Sequence, residues 1–369
     1  MPNTKTVFLA FTLVESPIAK YFLRLSDELI KRGYRVVIIT SNQKTKLVSK
    51  ETNPAIYTWP SFRPTKLADA FFLAKLIKQY RPTLIISNFV ADNICLSVSW
   101  LFHVPIRAFH QHLSYINYQN MSTNLITKYK IWRKKILYHL ASDCFPVSDA
   151  MAEEAKSIFK IHESKIKVFH NAIEDPKSYI LFEGKPYVDL VCAGQLIFRK
   201  GQDTLIKAMQ IIVQTYPQTK LALLGDGPQK LALCEMIGKS SLTKNISLLG
   251  IVPWIEVFQW MEKANIVIVP SRAEAFGYVV VEAFSVGTPV IASAVGGIPE
   301  IIRDGVDGFL VPPDDPKALA EKIMTILRNQ NLQNQMGANA RQRFLDKFEL
   351  SAAVKYQADW LDKKITGEI

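Results

Sequence analysis

The stretch Pro270–Glu300, PSRAEAFGYVVVEAFSVGTPVIASAVGGIPE, decides how the rest of the chain is read. A short apolar run, Ile266–Val269, precedes it and a second, Pro289–Ala292, lies inside it, each bounded as buried parallel strands are. Between them Phe276-Gly277 opens an apolar helical run. Strand, loop, helix and strand in that order form the repeating unit of a parallel α/β sheet. Glu274 falls in the loop just after the first strand, and Glu282 falls within the helix, about two turns later. Backbone donors at Gly277 and Tyr278 can receive an anion at the helix N-terminus, while the two carboxylates can accept hydrogen bonds from sugar hydroxyls. Together these groups suit a sugar diphosphate. Taken singly, Glu282 is a solvated helix residue and Glu274 a capping acid.

The same rhythm extends outward in both directions. Val188–Ala193, Leu221–Leu224, Ile246–Leu249 and Phe309–Val311 read as companion strands in the second half. In the first half the strand candidates are Val7–Phe11, Val36–Thr40, Thr83–Ser87, Ile106–Phe109, Asp143–Val147 and Lys167–Phe169. Ser16-Pro17 supplies an N-cap and an N1 proline to a helix that ends at Gly33. The 369 residues are enough for two domains with separate cores. The expected organisation is therefore α/β, with two facing Rossmann-like domains, residues 1–172 and 173–349, and a cleft between them. The linker is placed at Asn171–Pro186, NAIEDPKSYILFEGKP. Past residue 316 the pattern is helical, and the amphipathic stretch 350–365 is expected to pack back on the first domain.

Composition removes other classes. Hydrophobic residues make up 49% and charged residues 21%, which excludes long disorder. The apolar run Ile94–Val104 is interrupted by Ser97, Ser99 and His103 and is too short to span a bilayer. The start MPNTKTVFLAFTLVE has no signal-peptide pattern, so a cytosolic chain is expected. Cys95, Cys144, Cys192 and Cys234 are scattered and read as buried reduced thiols, without a disulfide framework or structural metal. The net charge of +12 is uneven: residues 1–176 hold 24 Lys+Arg against 13 Asp+Glu, and the remainder 21 against 20. A basic first half attracts nucleic acid, anionic lipid or a phosphorylated substrate.

Two more turns carry phosphate chemistry. Gly194–Gly201, GQLIFRKG, sets Arg199 and Lys200 beside a helix N-terminus, a sound diphosphate site, although an ordinary solvated turn has the same pattern. Leu224–Pro228, LGDGP, allows close backbone approach at Gly225 and Gly227. It lacks GxGxxG spacing, which counts against a nicotinamide-dependent oxidoreductase.

These motifs, in order, resemble those of the retaining glycosyltransferases of family 4, which have the GT-B fold. The resemblance runs from about Pro146 to Val311: Val147-Ser148, NAIED, GQLIFRKG, LGDGP, EAFGYVVVEAFSVGTPVIAS, Gly296-Gly297 and DGVDGFLV. The first 145 residues match mainly in architecture. The resemblance implies that Glu282 holds the nucleotide ribose, that Glu274 contacts the donor sugar, and that Arg199 and Lys200 neutralise the diphosphate leaving group. It further implies that Gly225 and Gly227 shape the nucleotide pocket and that Phe276, Gly277 and Tyr278 present backbone donors. Both glutamates are then binding and electrostatic residues rather than nucleophiles, and no metal or cofactor is needed beyond the nucleotide-sugar donor. The chain departs from the family at Gln195, usually Arg, for which Arg199 is expected to compensate. The first loop, TLVESPIA, lacks the paired glycines of relatives, leaving Glu15 and Ser16 as candidates for acceptor or phosphate contact.

In the first domain, RAFHQHLSY puts His110 just after a strand, where relatives carry a histidine near the donor sugar. His112 shares its face if the strand continues. The competing account is a histidine satisfied by the core, and His103 is read as structural. Thr127–Leu140, TKYKIWRKKILYHL, interleaves the five cations Lys128, Lys130, Arg133, Lys134 and Lys135 with Tyr129, Ile131, Trp132, Ile136 and Leu137. It reads as a basic helix lying on an anionic membrane or as a solvated helix with one buried face. No nucleic-acid-binding motif is present. The function expected is transfer of a sugar from a nucleotide diphosphate to a saccharide or lipid-linked acceptor, in surface polysaccharide or lipopolysaccharide synthesis, at the inner face of the plasma membrane. A soluble-acceptor enzyme of sucrose- or glycogen-synthase type and a non-catalytic binding scaffold are the alternatives.

Overall fold

A computed structural model describes residues 4–41, 53–114, 125–178 and 188–369, so residues 179–186 of the linker lie outside the described residues. The chain divides into two compact units, Met1–Ile173 with Leu350–Ile369, and Glu174–Glu349.

In the first unit a parallel sheet is built from β1 (Thr6–Ala10), β2 (Arg35–Thr40), β3 (Ala55–Thr58), β4 (Leu84–Asn88), β5 (Ile106–Gln111) and β6 (Asp143–Pro146), in the order β3-β2-β1-β4-β5-β6. The helices are α1 (Pro17–Lys31), α2 (Leu67–Tyr80), α3 (Asp92–Leu101), α4 (Leu125–His139) and α5 (Asp149–Ser157). α1 begins where it does because Pro17 lacks an amide hydrogen that would need a partner, and the Ser16 hydroxyl accepts from Ala19 N at 3.2 Å. Its buried face, Phe22, Leu25 and Leu29, meets Val354, Ala358, Leu361 and Ile365 of the C-terminal helix Leu350–Thr366. Those four residues recur at helical spacing, and each large apolar side chain so buried contributes roughly 1.5–3 kcal/mol. Polar contacts fix the same pairing: the Tyr21 hydroxyl donates to Gln357 Oε1 at 2.6 Å, and Arg32 reaches Asp359 at 2.7 Å.

The second unit repeats the plan with β7 (Val188–Ala193), β8 (Leu221–Leu224), β9 (Ile246–Gly250), β10 (Ala264–Val269), β11 (Val290–Ser293) and β12 (Gly308–Val311), in the order β12-β11-β10-β7-β8-β9. Its helices are α6 (Gln202–Thr215), α7 (Lys230–Lys239), α8 (Trp254–Lys263), α9 (Tyr278–Val286), α10 (Ile298–Ile301), α11 (Pro316–Leu327) and α12 (Gln330–Lys347). In both units the first strand pairs with the second on one side and the fourth on the other, so the winding direction reverses there. Open parallel sheets bind ligands at the carboxyl ends of strands beside such a reversal.

Two expectations need correction, and one strand was not among them. Lys167–Phe169 is not a strand: only Ile166 bridges to Cys144, and the Lys167 and Phe169 amides donate to Cys144 O and Pro146 O, each at 3.0 Å. The segment runs along β6 without completing a ladder. β3 joins the edge of the first sheet although its four residues, AIYT, carry too little pattern to be read as a strand. Cys95, Cys144 and Cys192 are buried, whereas Cys234 is exposed. Among the described residues no helix is long and apolar enough to cross a membrane.

Candidate functional site

The loops after β7, β8 and β10 converge at the reversal of the second sheet. The loop after β7 closes with a single 3-10 turn, Phe198–Lys200, and enters α6 through Gly201. Lys200 Nζ meets Glu274 Oε1 at 2.5 Å, and the Ser271 hydroxyl donates to that oxygen at 2.9 Å. Both side chains of the ion pair are mostly shielded from solvent. Arg272 holds the loop from behind: it pairs with Asp203 at 2.8 Å and Asp314 at 2.7 Å, donates to the Phe198 carbonyl, and lies over the Phe198 ring. Arg199 is exposed and forms no ion pair with another described residue. Gln195 is also exposed, and its carbonyl accepts from Gln202 Nε2 at 3.0 Å.

Backbone contact explains the glycines. A Cβ on Gly225 would lie 2.0 Å from the Gly194 carbonyl oxygen, and one on Gly227 2.5 Å from the Leu196 carbonyl oxygen. What approaches these glycines is the protein's own loop after β7, not open space reserved for a ligand. Hydrogen bonds seal that contact, from Leu196 N to Asp226 O and from Gln229 N to Leu196 O, both at 3.0 Å. Gly296 is tighter: a Cβ there would sit 1.6 Å from the Glu274 carbonyl oxygen, at φ +54°. Gly296→Ala must push the Glu274 loop away. Its expected result is a lower Tm and, in the transfer assay described below, activity reduced more than tenfold; wild-type values in both would mean the contact constrains nothing.

Gly277, with φ +120°, is the N-cap of α9 and its carbonyl accepts from the Val280 and Val281 amides, so the helical hydrogen-bond ladder begins there and the amides of Gly277 and Tyr278 lie ahead of it. Phe276 is a core side chain, edge-on to Tyr278 and Phe348, which leaves only its backbone for a ligand. Glu282 is 9% exposed. Burial pushes its carboxyl up to about 7, against the opposing pull of Trp254 and Lys200. The residues of the DGVDG motif are structural: the buried Asp307 binds Arg303 N and Nε, and Asp304 accepts from Leu310 N at 2.9 Å.

At the reversal of the first sheet lies a cavity of 540 Å³, lined in part by Thr12, Asp92, Asn93, His112, Arg133 and Lys134. A smaller one of 200 Å³, with Asn88 and Trp59 in its wall, shares Thr12, Arg63 and Val90 with it. Asp92 is buried; it accepts from the Ser87 hydroxyl at 2.9 Å and lies 3.8 Å from Lys134 Nζ. Burial pushes its carboxyl up to about 6, opposed by Lys134 and Ser87. Asn88 is 3% exposed, yet neither of its amide heavy atoms has a hydrogen-bond partner among the described residues, nor do Asn93 Oδ1 and the two ring nitrogens of His112.

His110 sits within β5 rather than after it. Phe22 and Phe145 pack edge-on to its ring at centroid distances of 5.2 and 5.3 Å. Because Gln357 Oε1 accepts from Tyr21, the Gln357 amide nitrogen donates to His110 Nε2, 3.0 Å away. Burial, with His112 beside it, holds the imidazole neutral, its pKa well below the ordinary value. His112 stacks on Phe89 and, at 5.6 Å, on His110, and burial pushes its pKa down to about 3. His110 reaches the cavity wall, but His112 is the histidine with uncommitted nitrogens.

Comparison with known proteins decides the family. Residues 173–343 match the model for glycosyl transferases group 1, and residues 18–175 match that for Glycosyltransferase Family 4. The chain belongs to the family 4-like glycosyltransferases. An uncharacterised glycosyltransferase of Methanocaldococcus jannaschii is 35% identical over 175 residues, which span 47% of this chain and only 48% of that protein. The gpi3 subunit of phosphatidylinositol N-acetylglucosaminyltransferase from Schizosaccharomyces pombe is 26% identical over 84% of this chain and 69% of its own. The structure of Anabaena HepE in complex with UDP superposes with a TM-score of 0.78 at 20% identity, covering 98% of this chain and 100% of that one. It shares the GT-B fold with this family member.

Among this family member's expected site residues, the second unit brings Lys200 and Glu274 into contact and sets Glu282 within reach of the Lys200 charge. Ser16 is occupied as the cap of α1, and Glu15 is exposed. Ser271, Arg272 and Trp254, and in the first unit Asn88, Asp92 and Asn93, escaped the sequence reading. The clue to the last three was the polar cluster at the end of a strand in SNFVADN.

Proposed function

We propose that the chain transfers a glycosyl group from a nucleoside diphosphate sugar, held by the second unit, to a saccharide or lipid-linked acceptor held by the first. The Lys200–Glu274 pair at the reversal of the second sheet carries this reading, because it sets a cation and a carboxylate where a diphosphate sugar needs both. In it Glu282 accepts from the ribose hydroxyls, Glu274 contacts the sugar, and Lys200 and Arg199 face the diphosphate with the backbone donors of Gly277 and Tyr278. The bond from the anomeric carbon to the diphosphate oxygen breaks with its electrons passing to the leaving group, where fixed cations stabilise them. The acceptor oxygen bonds to that carbon and gives its proton to the departing phosphate. Anomeric retention and independence of metal belong to the same proposal. HepE was crystallised with UDP, so UDP-sugars are the first donors to try. The test is release of nucleoside diphosphate from UDP-, GDP- and ADP-sugars, with and without saccharide acceptors, in excess EDTA. Acceptor-dependent release from one donor class is expected, and no release with any donor would favour the scaffold alternative.

The acceptor side is proposed to serve surface polysaccharide or lipopolysaccharide synthesis at the inner face of the plasma membrane. α4 supports this: Tyr129, Trp132 and Ile136 are 57%, 58% and 48% exposed, among Lys128, Lys130, Arg133 and Lys135. Its other side packs Ile131 and Tyr138 into the unit. Trp132→Ser with Lys135→Glu is expected to reduce co-sedimentation with phosphatidylglycerol vesicles about tenfold. Unchanged sedimentation would leave a soluble acceptor as the better reading.

A further inference from the structure

We infer that the cavity of the first unit takes an acceptor bearing a phosphate ester next to its hydroxylated ring. This rests on the reading of that unit as acceptor-binding and specifies the class of acceptor. Asn88, Asn93 and His112 bring uncommitted donors and acceptors to one pair of adjoining cavities. A neutral imidazole offers one donor and one acceptor, and an amide offers both kinds, which matches hydroxyl groups that donate and accept in turn. A neutral polyol would be satisfied by these groups alone, yet Arg63 and Arg133 also line the larger cavity. Both are exposed, and neither forms an ion pair with another described residue. Lys134, by contrast, faces Asp92. Two guanidinium forks suit a phosphate ester, whose anionic oxygens accept charge-assisted hydrogen bonds from both.

Calorimetric titration of the full chain, with saturating UDP to occupy the second unit, tests this. The probes are glucose 6-phosphate, inositol 3-phosphate, their unphosphorylated parents, and glucuronate. At least one phosphorylated probe is expected to bind tenfold or more tighter than its parent and than glucuronate, and Arg63→Ala with Arg133→Ala should abolish that margin. Asn88→Leu is expected to raise Tm by several degrees, since it removes an unsatisfied buried amide, while weakening parent and phosphorylated probe alike. The octyl phosphodiester of glucose separates two sources of the same chemistry: tighter binding than glucose 6-phosphate identifies a lipid-linked phosphate, weaker binding a soluble sugar phosphate. Parents that bind as tightly as their phosphates, or glucuronate that binds as well, would overturn the phosphate assignment and leave the acceptor reading standing. If no probe binds, the acceptor reading falls with it.

Discussion

Lys200→Ala is expected to lower kcat by about 10²- to 10³-fold while KM for the donor changes by only a few-fold. Charge builds on the diphosphate as the sugar leaves, so a fixed ammonium is worth more in the transition state than in the bound donor. Glu274 takes one of that ammonium's three donors in the ligand-free chain. Removing Lys200 also leaves Glu274 largely buried without its cation, a change that typically costs about 3–5 kcal/mol of stability. Turnover and stability must therefore be read apart. Lys200→Ala with Glu274→Gln removes the orphaned charge, so its Tm should return toward wild type while kcat stays low. Wild-type kcat/KM in Lys200→Ala would remove Lys200 from the leaving-group role.

Glu282→Gln is expected to stabilise the ligand-free protein at pH 8 and to weaken nucleoside diphosphate binding. Burial raises the folded carboxyl from 4.5 to about 7, so the folded chain holds a proton that the unfolded chain has released between those values. Stability attributable to this group is greatest below pH 4.5, falls as pH rises through the window, and is lowest above 7. A shift of that size corresponds to at most about 3 kcal/mol. The amide that replaces the carboxyl cannot ionise, so the gain in Tm should appear at pH 8 and vanish near pH 4.5. Binding moves the other way, because hydroxyls donate best to a charged acceptor: the loss should be roughly 10- to 100-fold. Wild-type affinity should likewise fall as pH drops below about 7. A variant that is no more stable at pH 8 would show that Glu282 carries no burial penalty.

Both sheets were legible because strands buried on two faces must be apolar runs, and runs such as VDLVCA and ANIVIV have no other use. Edge elements were less so. AIYT is short and half-exposed, and KVF beside β6 is apolar because Phe169 enters the core, not because a ladder needs it. The candidate donor site could be read because Lys200, Gly225, Gly227 and Glu274 sit in turns after β7, β8 and β10, whose places follow from sheet winding, and Glu282 lies in the helix that the last of these turns opens. What the residue types hid was which neighbour each would meet. Gly225 and Gly227 admit another loop of the protein. His110 and His112 share a face, as alternation requires, but only the third dimension shows that Gln357, 247 residues away, occupies the first and leaves the second. Asn88 carries no motif at all; its significance lies in being buried without a partner among the described residues.

The central claim is that the second unit holds a nucleoside diphosphate through Glu282 and the Lys200 loop. Calorimetric titration of wild type and Glu282→Ala with UDP, GDP and ADP, at pH 8 without added metal, tests it most directly. Selective binding of one diphosphate, lost in the variant, is the predicted result. Equal binding by wild type and variant, or no binding of any of the three, would contradict it.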